Sequence, residues 1–272
     1  MNYRHAFHAG NFADCMKHAL LVWLLRALAR KPAPFQVLDT HAGIGRYSLD
    51  SEEAQRTGEW RAGIGRLLDI REGPLADYVA LVRAEGGYPG SPALAAALLR
   101  EQDRLSLVEL HEADHATLRA GFRRDVRVAT HRRDAWEAVR ALTPFAGKRG
   151  LVLMDPPFEQ PGEYERLTAA ITEVNRRARG LVQAAWYPVK GRAPVRAFHT
   201  ALAQSGVRDI LAAELHLREP TDAARLNGSG LIVVNPPFGF EAAAEDILAA
   251  LHARLATGEA GGGWSLARIA HE

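Results

Sequence analysis

The stretch Leu151-Val-Leu-Met-Asp155-Pro156-Pro157-Phe158 constrains this chain more than any other. Its unbroken apolar run reads as a buried strand. Pro156 removes a backbone donor and fixes φ, so the strand stops there. The restricted geometry around the prolines then presents Asp155 and Phe158 at a carboxyl edge, where open α/β sheets bind ligands. An exocyclic amino group on a planar ring needs this combination, because its lone pair is delocalised and weakly nucleophilic. Acceptors on its N–H bonds, here the Asp155 side chain and the Pro156 carbonyl, localise the lone pair and take up developing positive charge. Phe158 holds a flipped-out base by stacking. The plain alternative is a strand followed by an ordinary proline turn.

Strand-then-acid recurs along the chain. Residues 35–40 end near Asp39, residues 105–110 carry Glu109, and residues 126–130 lead to Asp134-Ala135. Parallel strands place these acids with Asp155 on one edge. A helix cap or a solvated turn explains any one of them equally well, but all in register favour a site. Glu109 is placed to bind ribose hydroxyls bidentately, and Asp134 to accept from an adenine amino group. After the first strand, His41-Ala-Gly43-Ile-Gly45 allows a tight turn and close backbone approach to a ligand, although alone it is equally an ordinary turn.

Further strands at 181–186, 210–217 and 230–235 bring the count to seven, with 264–269 a candidate final edge strand. Helices between them predict a mostly parallel, three-layer α/β sheet. Helical spacing at Met16, Ala19, Leu20, Trp23, Leu24, Ala27 and Leu28 predicts a helix over 13–30 with one buried face. Residues 47–89 interrupt the first βαβ unit with helical stretches at 59–70 and 75–84. They read as an inserted helical subdomain, leaving 1–46 and 90–272 as the core. Ser91-Pro92 opens a helix to about 102, with the serine as its cap. Ala62-Gly63-Ile64-Gly65-Arg66 repeats the wording of Ala42–Arg46 without a preceding strand, and is read as coincidence.

Other constellations weigh less. Asn235-Pro236-Pro237-Phe238 repeats the catalytic pattern, but too little chain follows it to complete a sheet. The spacing of His5, His8, Cys15 and His18 suits zinc, yet nothing around it orients ligands, so no metal is expected. His18 and His41 are read instead as polar ligands of a small molecule. Basic clusters at Arg119, Arg123, Arg124, Arg127, Arg132 and Arg133, and at Arg176, Arg177 and Arg179, are solvated helix faces or, more sharply, a phosphate-binding surface. With 272 residues, 47% of them hydrophobic, and a net charge of +2, the chain is long enough for one large domain or one domain with an insertion. It permits a nucleic-acid partner without demanding one. The single cysteine, Cys15, excludes an internal disulfide. The lack of an apolar signal core or membrane-length run predicts a soluble, cytoplasmic protein.

Taken together, several stretches resemble the RlmJ-type family of 23S ribosomal RNA adenine-N6 methyltransferases. They are Tyr3-Arg-His-Ala-Phe-His-Ala-Gly-Asn11, Leu38-Asp-Thr-His-Ala-Gly43, Tyr88-Pro-Gly-Ser-Pro92, Leu99-Arg-Glu-Gln-Asp103, Glu109-Leu-His111, Asp155-Pro-Pro-Phe158 and Trp186-Tyr-Pro188. The resemblance spans almost the whole chain. It implies a Rossmann-like class I methyltransferase core with a helical insertion, using S-adenosyl-L-methionine. By position it implies that His18, His41, Ser91, Glu109, Asp134, Ala135 and Asp155 bind the cofactor, and Gly43 of the turn after the first strand is expected to join them. Asp155, Pro156 and Phe158 would act at the adenine, Tyr3 and Phe158 would meet 23S rRNA, and the enzyme is expected to be a monomer. Phe158 stands where the family commonly has tyrosine, and Ala135 where it commonly has glycine. The rivals are a DNA adenine-N6 or protein glutamine methyltransferase, and a non-catalytic RNA-binding or cofactor-sensing protein on the same fold.

Overall fold

The computed structural model describes residues 4–272. In chain order the elements are α1 (Phe12–Ala29), β1 (Gln36–Asp39), β2 (Arg46–Tyr47), α2 (Glu52–Thr57), α3 (Glu59–Ala62), α4 (Ala76–Ala84), β3 (Tyr88–Pro89) and α5 (Ser91–Leu98). They continue with β4 (Arg104–Val108), α6 (Glu112–Phe122), β5 (Val128–His131), α7 (Ala135–Leu142), β6 (Gly150–Met154) and α8 (Glu163–Arg177). The last are β7 (Val182–Val189), α9 (Arg192–Gln204), β8 (Ile210–His216), β9 (Gly228–Val234), α10 (Phe240–Leu255) and β10 (Gly263–Ala270).

The main sheet runs β10-β8-β9-β7-β6-β1-β4-β5. Neighbours from β7 to β5 are parallel, whereas β9 is antiparallel to both β7 and β8, and β10 is antiparallel to β8. The sheet therefore has eight strands rather than seven. The extra one is β10, all of whose residues are partly or fully exposed, as fits an edge position.

Side chains alternate across the sheet into two cores. Val37, Leu105, Leu151, Leu153 and Val233 pack with α1, α5, α6 and α10, while Leu38, Val152, Met154 and Val234 pack with α7, α8 and α9. Helix α1 starts where the Asn11 side chain accepts from the Ala13 and Asp14 amides. It is buried nearly all round, not along one stripe, because α5, α10, β9 and α4 all pack on it.

Strands β2 and β3 pair antiparallel and bracket α2, α3 and α4. Ile64, Leu67, Tyr78, Val79 and Val82 of this segment join the same core as α1. The helix expected over 59–70 is broken at Gly63, whose φ of −101° and ψ of −113° leave the helical region. The cause is tertiary. A Cβ at Gly63 would lie 2.1 Å from the Gly10 carbonyl oxygen, and the Ile64 N–H donates to that oxygen at 2.8 Å. Gly63-Ile-Gly65 thus seats the segment leading into α1 and lines no nucleotide turn.

Candidate active site

Because β5, β4, β1 and β6 are adjacent and parallel, their carboxyl ends share one edge. Asp39 closes β1 there and is buried. Its carboxylate accepts from the Ser91 hydroxyl at 2.6 Å and from the His41 N–H at 3.2 Å. Burial, reinforced by the nearby Asp155, lifts Asp39 to about 6 despite those bonds. Ser91 is therefore not the helix cap expected of it. Gly90 occupies the cap position, and the serine hydroxyl is committed to Asp39.

The turn after β1 ties two further strand ends together. The His41 Nδ1 lies 2.8 Å from the Thr40 hydroxyl and accepts the Asp155 N–H at 3.3 Å. Burial pushes His41 down to about 4, so the ring is neutral near pH 7. Gly43, at φ +57°, donates its N–H to Glu109 at 3.0 Å, and a Cβ there would meet the Tyr47 hydroxyl at 2.4 Å. The other Glu109 oxygen accepts the His111 N–H at 2.8 Å. Burial raises the Glu109 pKa, and each oxygen retains a lone pair for a ligand hydroxyl. Asp134 caps α7, accepting from Trp136 and Glu137 at 2.9 and 3.1 Å, with Ala135 as the first helical residue.

From α1, Lys17 reaches into this edge. Its Nζ is 2.5 Å from Asp155 Oδ2 and 2.9 Å from Asp14 Oδ1. Burial alone would lower the lysine pKa, but the two flanking carboxylates more than offset it and raise it. Asp14 also accepts the Gly10 N–H at 2.9 Å and contacts His5 Nε2 at 2.9 Å. Lys17 and Asp14 are site residues that the sequence reading passes over. A signal is present, since Asp14-x2-Lys17-His18 puts adjacent polar groups on an otherwise apolar helix.

His18 is buried on α1 with Nδ1 2.7 Å from the Tyr88 hydroxyl, and burial drives it down to about 3. The other zinc-spaced residues have separate partners. His5 contacts Asp14, His8 contacts Glu59, and the buried Cys15 thiol lies 3.7 Å from the Gly10 carbonyl. Tyr3 lies outside the described residues.

Past β6, buried Pro156 leads to Phe158, which adopts φ +50° and packs edge-on against Tyr164 and Trp186. Asn235 follows β9, which runs the other way, so it lies at the opposite edge of the sheet. There its amide donates to the Arg179 and Leu181 carbonyls at 2.5 and 2.8 Å. The basic clusters also divide. Arg127 is committed to Asp125, Leu99 and Ala96, and Arg177 to the Thr143 carbonyl, whereas Arg132 and Arg133 follow β5 onto the Asp155 edge.

A mostly parallel sheet with a reversed strand inserted near one end, and carboxylates at four neighbouring strand ends, defines a Rossmann-like methyltransferase. A family model described as Ribosomal RNA large subunit methyltransferase D, RlmJ, matches residues 32–270. The chain belongs to this RlmJ family. It is 40% identical over 275 residues to Ribosomal RNA large subunit methyltransferase J of Escherichia coli strain K12, covering 97% of this chain and 98% of that one. The same-named protein of Haemophilus influenzae is 40% identical over 281 residues, covering all of both. The crystal structure of a Legionella pneumophila protein superposes with a TM-score of 0.85 at 30% identity, covering 96% of this chain and 97% of that one.

Proposed function

We propose that this enzyme methylates N6 of an adenine in 23S rRNA, with S-adenosyl-L-methionine as donor, acting as a cytoplasmic monomer. The reading rests above all on Asp155, whose carboxylate is pinned by buried Lys17 at the sheet edge, next to the Pro156 carbonyl and Phe158. The cleft also suits a cofactor bearing positive charge. Asp39, Glu109 and Asp155 converge with one buried ammonium, itself shared with Asp14.

When bound, S-adenosyl-L-methionine supplies an electrophilic sulfonium methyl group. Glu109 accepts hydroxyl donors through the lone pairs that Gly43 and His111 leave open. The neutral His41, Ser91, Asp134 and the Ala135 amide complete the cofactor side, and His18 braces it through Tyr88. On the substrate side Asp155 and the Pro156 carbonyl accept from the adenine amino group, while Phe158 stacks on the ring. The amine gains positive charge as it attacks, so these fixed acceptors stabilise the transition state more than the ground state. Lys17 holds one Asp155 oxygen and thereby aims the other. Residues 47–89 act as an inserted subdomain that seats the N-terminal segment, through which Tyr3 meets the RNA.

The test is transfer of labelled methyl to deproteinised 23S rRNA from cells lacking the enzyme. Label recovered as N6-methyladenosine is the expected result. Asp155→Ala should cut turnover by at least about 100-fold while weakening cofactor binding far less. Wild-type turnover in that variant, or label absent from the RNA, overturns the assignment.

A further inference from the structure

Phe158 sits at φ +50°, a left-handed conformation that aromatic L-residues avoid. Such a backbone persists only where its surroundings over-determine it. Here two aromatic rings do so. Tyr164, in the first turn of α8, meets the Phe158 ring at 4.8 Å and 64°, and Trp186 of β7 meets it at 5.8 Å and 79°. Neither neighbour is free to swing. The Tyr164 hydroxyl donates to the Pro188 carbonyl at 2.7 Å, and its ring leans on Phe198 at 5.2 Å. The Trp186 Nε1 donates to the Ser229 hydroxyl at 2.9 Å. On the other side, Pro156 and Pro157 restrict the chain entering Phe158.

We propose that Tyr164 is a positioning residue for the methyl acceptor, setting the plane of the Phe158 ring on which the target adenine stacks; this rests on the adenine-methylation reading above. Tyr164 is the nearer of the two rings, and its hydroxyl ties α8 to the end of β7. In-line transfer demands that nitrogen, methyl carbon and sulfur stay aligned, and a misplacement of about 1 Å costs on the order of 100-fold. A tilt of the stacking platform becomes an error of that kind at N6. Tyr164 itself need touch neither base nor cofactor.

The test is a double-mutant cycle on the full-length enzyme, using Phe158→Ala, Tyr164→Leu and the pair together, with Tyr164→Phe as the conservative variant. Turnover on 23S rRNA is divided by the stoichiometry of S-adenosyl-L-methionine binding from calorimetry, so that unfolded molecules drop out. Phe158→Ala should lose about 10- to 100-fold, the worth of one aromatic stack. Tyr164→Leu should lose about 10-fold per cofactor bound, and the double variant no more than Phe158→Ala alone, because residues that act through one another are not additive. Tyr164→Phe keeps the ring edge and should recover to within about threefold of wild type, as for loss of one hydrogen bond. Additive losses overturn the proposal. So does a Tyr164→Leu enzyme whose stoichiometry falls while turnover per bound cofactor stays constant, since that marks a purely structural role. If Phe158→Ala turns over like wild type, the stacking platform and with it the proposal fail; only a wild type that leaves 23S rRNA unlabelled means that the methylation reading itself has failed.

Discussion

Asp39 is a buried carboxylate that the fold holds near pKa 6, with the His41 ring near 4 and His18 near 3. Both histidines are therefore neutral across the range where Asp39 titrates. Burial favours the protonated form relative to an ordinary aspartate, so folded Asp39 binds a proton more readily than an unfolded aspartate does. Its contribution to stability is fully present below pH 4, declines as pH rises through 6, and amounts to about 3 kcal/mol at most for a shift of this size. A cation-bearing cofactor reverses the preference and favours the carboxylate. Binding of S-adenosyl-L-methionine should therefore release part of a proton between pH 5 and 7, and affinity should rise with pH through 6. Calorimetry in two buffers of different ionisation enthalpy measures the release, and Asp39→Asn should remove it. No buffer dependence across that range would show that Asp39 does not exchange its proton with the cofactor. The acids were legible in the sequence because strand-end position is itself a signal. Lys17 was not, because a polar residue inside an apolar helix reads as solvent-facing until packing shows that α1 is covered nearly all round.

Among the elements, strands were easier to read than the helices between them. An apolar run closed by an acid or a proline marks a strand without reference to anything distant. Whether 59–70 forms one helix depends on what presses on it, and Gly10 lies far away in sequence. The same limit hid the Ser91 hydroxyl, which reads locally as a cap and bonds to Asp39 instead. Gly63 gives this a measurable form. Gly63→Ala drives a Cβ into the Gly10 carbonyl, and neither partner is a flexible side-chain end. Stability should fall by about 1–3 kcal/mol, the usual range for overpacking. The Ile64 amide should also lose hydrogen-exchange protection, since its acceptor is that carbonyl. Gly147, where an added methyl group would meet nothing within 4 Å, provides the control. Gly147→Ala should stay within about 0.5 kcal/mol of wild type. Equal behaviour of the two variants would mean that the N-terminal segment is not seated on Gly63.

At the scale of the whole molecule, strand direction decides which of two near-identical motifs meets the substrate. Asp155-Pro-Pro-Phe158 and Asn235-Pro-Pro-Phe238 each follow an apolar run, and in the sequence only the length of chain beyond each one favours the first. The register supplies a stronger reason. Met154 pairs with Ala185, whereas Val234 pairs with Gln183 on a strand running the opposite way, so Asn235 leaves the sheet at the far edge. Reversal of a strand is a property of the assembled sheet and has no local signature. At that far edge Asn235 acts as a clamp. It takes φ +50°, which asparagine tolerates better than most residues, and its amide bridges the Arg179 and Leu181 carbonyls that lead into β7. Asn235→Ala loses both bonds and strains the backbone, so it should lower stability by about 1–3 kcal/mol. Turnover per folded molecule on 23S rRNA should stay at the wild-type value, because the Asp155 cleft lies at the other edge. Denaturant unfolding and methyl transfer on the same preparation separate the two effects. A loss of turnover without a loss of stability would instead place the second motif in the reaction.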